Sequence, residues 1–213
     1  MKKGLLVFAA ALLFAAFVPR PVAAALDFDL GVKAGVSMAS YKWSDDSTAS
    51  KSLTRPVFGA FFAFNLSKSF AIQPEVYFLT QGGTWLNEGE VISQKWVELY
   101  KYIHVPVLAK FRFMPDKKWT PILFAGPAVG FLLSAHEKYY EDGVEIWDKD
   151  LKPWFKSTNF SVVFGGGLEY KLDKLMLVLD IRYDLGLANI DASGIAIDTL
   201  KTRALMFMLG VGF

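Results

Sequence analysis

The feature that most constrains this chain is a strict two-residue rhythm, clearest in LMLVLDIRYDLGL, Leu175 to Leu187. One series reads Leu175, Leu177, Leu179, Ile181, Tyr183, Leu185 and Leu187, apolar until the tyrosine. The other reads Met176, Val178, Asp180, Arg182, Asp184 and Gly186, with three successive charges. Alternation of this kind specifies an extended strand whose two faces meet opposite environments. The fold then depends on which face is inside.

The rhythm recurs along the chain and predicts eight strands. They run about Phe28–Ala39, Val57–Leu66, Phe70–Gln81, Val97–Phe113, Pro121–Ser134, Thr158–Leu172, Leu175–Leu187 and Arg203–Phe213. The fifth is apolar on both sides, and Gly126, Ala128 and Gly130 suggest that its even positions face a crowded interior. Connections alternate strictly in length. Ser67–Ser69, Met114–Thr120 and Asp173–Lys174 are short, whereas Ser40–Pro56, Gly82–Trp96, Ala135–Ser157 and Ala188–Thr202 are long. Soluble antiparallel barrels have no reason to gather their long loops at one end, and outer-membrane barrels do. Strands of about 11–13 residues at a tilt of about 40° also suffice to cross a bilayer.

The start of the chain supports export. Met1-Lys2-Lys3, an apolar run from Gly4 to Val18 and small residues through Ala25 make residues 1–25 a predicted secretory signal peptide, with cleavage after Ala24 or Ala25. The run is too short for a transmembrane helix of about 20 residues. Removing Lys2, Lys3 and Arg20 with the leader leaves 20 basic residues against 21 acidic ones, so nucleic acid is not an expected partner. There is no cysteine, which excludes disulfides and thiolate metal sites.

Charge decides the faces. The polar series place Lys33, Lys110, Arg112, Lys171 and Arg182 against Asp29, Glu75, Glu169, Asp180 and Asp184. Such a balance is what a narrow lumen needs, because an unpaired ion away from bulk water is costly. The leucines are therefore assigned to lipid and the charges to the interior, against the alternative of a soluble, lipocalin-like barrel with a leucine core. The expected lumen network is Lys33, Glu75, Lys110, Arg112, Glu169, Lys171, Asp180, Arg182 and Asp184. Above it Phe61, Tyr77, Leu79, Ile122, Phe124, Leu132, Met206 and Met208 should point inward, as packing or as a small apolar pocket. Tyr41, Trp43, Trp85, Trp96, Trp119 and Trp154 fit interfacial aromatic belts.

The last strand alternates Leu205, Phe207, Leu209, Val211 and Phe213. Phe207, Leu209, Val211 and Phe213 resemble the C-terminal signal read by the outer-membrane barrel assembly machinery. Four further runs, AIQPEVYFLTQGG, YIHVPVLAKFRF, PILFAGPAVGFLL and FGGGLEYKL, resemble in order and spacing the PorT-like outer-membrane β-barrel family of Bacteroidota and relatives. That resemblance covers nearly all of the mature chain. It implies an eight-stranded outer-membrane barrel, mostly of unassigned molecular role; the secretion role of the family's namesake is not carried over.

Catalytic patterns are weak. The histidines are His104, on the inward face of the fourth strand, and His136, at the start of the third long loop. The closely spaced His-x-Ser of lipid-A deacylase barrels is missing, since His104 is followed by Val105-Pro106. No phosphate loop or metal-ligand spacing occurs, so no catalytic, metal or cofactor site is expected. The reading is an all-β, eight-stranded, antiparallel, up-and-down transmembrane barrel over residues 26–213, mainly structural or interactive, with its outer loops as contact surface. The alternative is a narrow channel for small hydrophobic or polar solutes. Expected partners are outer-membrane lipid and lipopolysaccharide, the assembly machinery during insertion, and extracellular or periplasmic proteins.

Overall fold

A computed structural model of the chain describes residues 27–43, 50–88, 92–193 and 199–213. The predicted signal peptide and the side chain of Trp43 lie outside the described residues. Nine strands are present among them: β1 (Asp27–Trp43), β2 (Leu53–Asn65), β3 (Phe70–Glu88), β4 (Ser93–Arg112), β5 (Trp119–Glu141), β6 (Val144–Asp150), β7 (Thr158–Lys171), β8 (Met176–Gly186) and β9 (Leu200–Gly212). All pairings are antiparallel. The order is β4-β3-β2-β1-β9-β8-β7-β5-β6, and an additional β4–β5 ladder turns the sheet into a ring. The circuit passes through every strand except β6, which pairs only with the outer part of β5.

Side-chain alternation holds around this ring. In β8 the even positions Met176, Val178, Asp180, Arg182 and Asp184 are buried while Leu177, Leu179, Ile181 and Leu185 stand exposed. The apolar series of β1 (Val32, Val36, Met38) and β9 (Phe207, Leu209, Val211) face outward in the same way. β5 buries Ile122, Phe124, Ala128 and Leu132, the even positions. Its parity then changes, because Lys101 pairs with Ser134 while Tyr102 pairs with Leu132. The extra residue in β5 is a bulge, and beyond it Ala135 and Tyr139 are the buried ones.

The glycine run of β7 makes room inside. A Cβ on Gly165 would lie 2.9 Å from Phe124 Cζ and 2.8 Å from Arg182 Cα, and one on Gly167 would lie 3.0 Å from Asp180 Cβ. These two positions leave space for the largest side chains of the bore, with the Arg182 guanidinium carbon 5.1 Å from the Phe124 ring centre.

Two differences from the sequence reading concern the outer end. The strands run on past their apolar series, so β3, β4 and β5 form a wall that stands above the rest of the ring, paired as far as Glu88 with Ser93 and Gln94 with Glu141. The third long loop contains the additional strand, β6. Asp142 (φ 46°) and Gly143 (φ 81°) form its turn, a two-residue connection with positive φ at both positions, as tight hairpins require.

Candidate functional site in the bore

The inward polar residues assemble in levels, starting at the end with the short turns. There Glu169 on β7 accepts from Lys110 Nζ at 2.7 Å and from Arg112 Nε at 2.7 Å, both on β4. Arg112 also donates to Asp29 Oδ2 on β1 at 2.8 Å and to Asn65 Oδ1 on β2 at 2.6 Å. One level up, Lys33 on β1 donates to Asp180 Oδ2 at 2.7 Å and to Glu75 Oε1 at 3.0 Å. Arg182 grips Asp180 at 2.6 Å through Nη2 and pairs with Glu75 through both terminal nitrogens. Gln73 adds a donor to Glu75 Oε1 at 2.6 Å.

Each level holds two cations and two anions, all of them inside the barrel wall. Burial of a charge is tolerable only when it is paired and its remaining hydrogen-bonding capacity is used. Both groups meet that condition by reaching across the ring, and Arg182 also pairs with Asp180 along β8. In each group one strand supplies two charges, Lys110 and Arg112 from β4 and Asp180 and Arg182 from β8, and other strands supply the rest.

Above them lies a polar layer of different character. His104 Nε2 is 3.0 Å from Asp184 Oδ2 and 3.4 Å from Ser161 Oγ, and its ring stacks on Tyr77 at 5.1 Å between centroids. Serine and aspartate approach the same nitrogen. The imidazole therefore does not link a nucleophile on one nitrogen to an orienting carboxylate on the other, the arrangement acyl-transfer triads use. Higher still, Asn159 on β7 donates to Thr202 Oγ1 at 2.9 Å and to Gln81 Oε1 at 3.3 Å. A cluster of Tyr41, Tyr100, Tyr102, Leu132, Ala135, Ile190 and Leu200, with Trp85 and Phe155 against it, caps the outer end.

Most residues expected in the lumen are thus brought together, with two corrections. Lys171 is exposed at the rim and its Nζ donates to Pro115 O at 2.8 Å, because it is the last residue of β7 and the bore has already opened there. Asp184 is fully buried but sits by His104, one level above the arginine group. Asn65 and Gln73, which are not among the expected network charges, complete the hydrogen bonding of the ions. The expected inward apolar residues Phe61, Tyr77, Leu79, Ile122, Phe124, Leu132, Met206 and Met208 are all buried. Of the proposed belt aromatics, Tyr41 belongs to the internal cap and Trp85 packs against it, whereas Trp119 and Trp154 are exposed.

Outside the bore, the β5–β6 hairpin is held by charges on its outer face. Asp148 lies 2.8 Å from His136 Nδ1, and Lys138 reaches Glu145 at 3.0 Å and Asp148 at 3.3 Å. The His136 contact, with Lys138 beside it, holds the Asp148 carboxyl below the usual carboxylate range. On its other face Trp147 stacks on Tyr139 at 5.6 Å. Among the described residues no group of three or more His, Cys, Asp or Glu side chains could hold a metal ion.

A closed antiparallel ring with an apolar exterior, a charged interior and unequal ends defines the class: this is an outer-membrane β-barrel protein. The chain belongs to the family described as "Outer membrane protein beta-barrel domain", which matches residues 19–192. It resides in the outer membrane. No curated protein matches the sequence. Similar solved structures include Neisserial surface protein A, at 12% identity over 86% of this chain and 97% of that one, with a TM-score of 0.46. Ail, the attachment invasion locus protein of Yersinia pestis, is 15% identical over 88% of this chain and 99% of its own, with a TM-score of 0.46. A major outer membrane protein from Thermus thermophilus is 11% identical over 88% of this chain and 99% of that one, with a TM-score of 0.48.

Proposed function

We propose that the chain, after loss of its leader, crosses the outer membrane as an eight-stranded barrel with a closed bore, and that it acts through surfaces rather than through a pore. The observation that carries this reading is the pair of neutral ion groups that reach from wall to wall. An eight-stranded interior is only about wide enough for its own side chains, and here those side chains are salt-bridged across it. The wall of β3, β4 and β5 with its β6 hairpin is the contact surface offered to partners outside the cell. Barrel assembly machinery and periplasmic or extracellular proteins are the partners this role implies.

The PorT-like resemblance fits the same reading. Its motif residues Glu75, Lys110 and Glu169 supply three of the eight ions of the two groups, with Gln73 supporting Glu75. Liposome swelling tests the proposal. Vesicles carrying the refolded chain should swell in small sugars no faster than empty vesicles, and rapid swelling would favour the channel reading.

A further inference from the structure

Among the described residues, Asp184 is the buried carboxylate that neither ion group balances. It is the next inward position above Arg182 on β8, and its side chain is fully buried. Its Oδ2 lies 3.0 Å from His104 Nε2, yet neither carboxylate oxygen accepts a hydrogen bond among the described residues. An imidazolium that balanced this charge would direct its N–H at the carboxylate. Glu75 shows the contrast, accepting from Lys33, Arg182 and Gln73. A buried carboxylate with so little support is costly.

Further orphaned atoms belong to the same polar layer. Gln81 Nε2, Tyr102 OH and Asn159 Oδ1 are buried and have no hydrogen-bond partner among the described residues. A chain of contacts joins them to Asp184. His104 Nε2 is 3.4 Å from Ser161 Oγ, and Asn159, two residues before Ser161 on the same face of β7, donates to Gln81 Oε1. Gly130 is in register with both His104 and Asn159. A Cβ there would lie 3.1 Å from Tyr102 Cδ1 and 3.2 Å from His104 Nδ1, so the bare glycine lets both rings lie against β5. Small side chains also flank the carboxylate, since Asp184 pairs with Ala204 and Ala204 with Ala39. The carboxylate, the Asn159 carbonyl and the Ser161 and Tyr102 hydroxyls are hard oxygen donors, the kind that alkali and alkaline-earth cations prefer. One carboxylate among neutral oxygens matches a single positive charge. No cluster of acids, as a divalent ion would need, occurs among the described residues.

We propose that the bore holds a monovalent alkali-metal cation on Asp184, between the Arg182 ion group below and the tyrosine cap above, with the neighbouring neutral oxygens completing its shell. The site does not depend on what the outer wall contacts. It is tested on the full chain, refolded in an uncharged detergent with radioactive sodium and dialysed to equilibrium against the same ion, choline chloride holding the ionic strength constant. Wild type should take up sodium saturably, a single ion per chain. Asp184→Asn keeps the shape, removes the charge, and should bind sodium roughly tenfold more weakly or worse, because affinity for hard cations follows ligand charge. Asp148→Asn, on the outer hairpin, should bind as wild type. Potassium that displaces the sodium would place both ions in the site, and potassium without effect would restrict it to sodium. Magnesium at equal ionic strength should displace no more than choline does. Uptake unchanged by Asp184→Asn, uptake lost equally in Asp148→Asn, or stronger displacement by magnesium would each overturn the site. Heat-modifiable gel mobility checks folding. Should Asp184→Asn fail to fold, wild type decides: its heat-denaturation midpoint should rise as sodium replaces choline, and an unmoved midpoint would overturn the site.

Discussion

Arg182 and Glu75 form an ion pair across the full width of the barrel. Their strands, β8 and β3, are four steps apart in either direction around the ring of pairings. Lys33 and Asp180 complete the group from β1 and β8. Four strand-borne charges therefore hold opposite walls together, where a soluble barrel would use apolar packing.

The cost of breaking that group should be large. Removing one partner, as in Glu75→Ala or Arg182→Ala, leaves charge without its mate and should destabilise the barrel by about 3–5 kcal/mol. Replacing both with apolar residues, Glu75→Leu/Arg182→Met, should cost clearly less than the two single changes together. Urea unfolding in lipid vesicles measures all three, and additive losses would mean that the residues are not coupled.

The outward series of β8 should meet lipid. Leu179→Arg near the middle of the band should cost about 2–4 kcal/mol. Spin labels at Leu177, Leu179 and Ile181 should collide with oxygen dissolved in the bilayer, and labels at Asp180 and Arg182 should not. Reversed accessibility would point to a soluble barrel.

The outer hairpin should respond to acid in a defined window. Asp148 has its carboxyl held below the ordinary range by His136 and Lys138. A depressed carboxylate contributes stability that is present above its unfolded pKa of about 3.9 and is lost as pH falls through the lower folded value. Trp147 fluorescence should therefore stay constant down to about pH 4 as far as Asp148 is concerned, and shift below it. Asp148→Asn should abolish the acid step, and a step unaltered by that change would assign it to another group.

The chain end closes the ring, since Phe213 N donates to Leu30 O at 2.9 Å and Leu30 N donates back at 2.9 Å. Deleting Phe213 should slow barrel insertion by the assembly machinery more than a substitution in the β5–β6 turn does. Pulse-chase of the heat-modifiable form reads this directly, and equal rates would remove Phe213 from the assembly signal.

Much of this was legible in the sequence, for a physical reason. A lipid exterior and a packed interior impose one rule on every barrel residue, so parity separates Leu179 from Asp180 and the charge balance says which of them is inside. The rule stops at the membrane surface. Ser93, Gln94 and Lys95 pair fully in β4 but break the apolar alternation, so the sequence pattern starts that strand only at Val97. Asp142-Gly143, flanked by Tyr139, Tyr140 and Val144, carries a turn signal for β6, but the strand it starts lies outside the apolar band and lacks the spanning alternation. Parity also gives no depth across the bore. It could place Asp184 inside, yet only the ring geometry shows that it meets His104 while Asp180 meets Lys33 and Arg182.

The central claim is that charge closes the bore, and planar-bilayer recording tests it most directly. Wild type should show no steady conductance, while Glu75→Ala and Arg182→Ala, which remove side chains spanning the bore, should show small, frequent openings. A large and steady wild-type conductance, unchanged by either substitution, would contradict the account and identify the same residues as the lining of a channel.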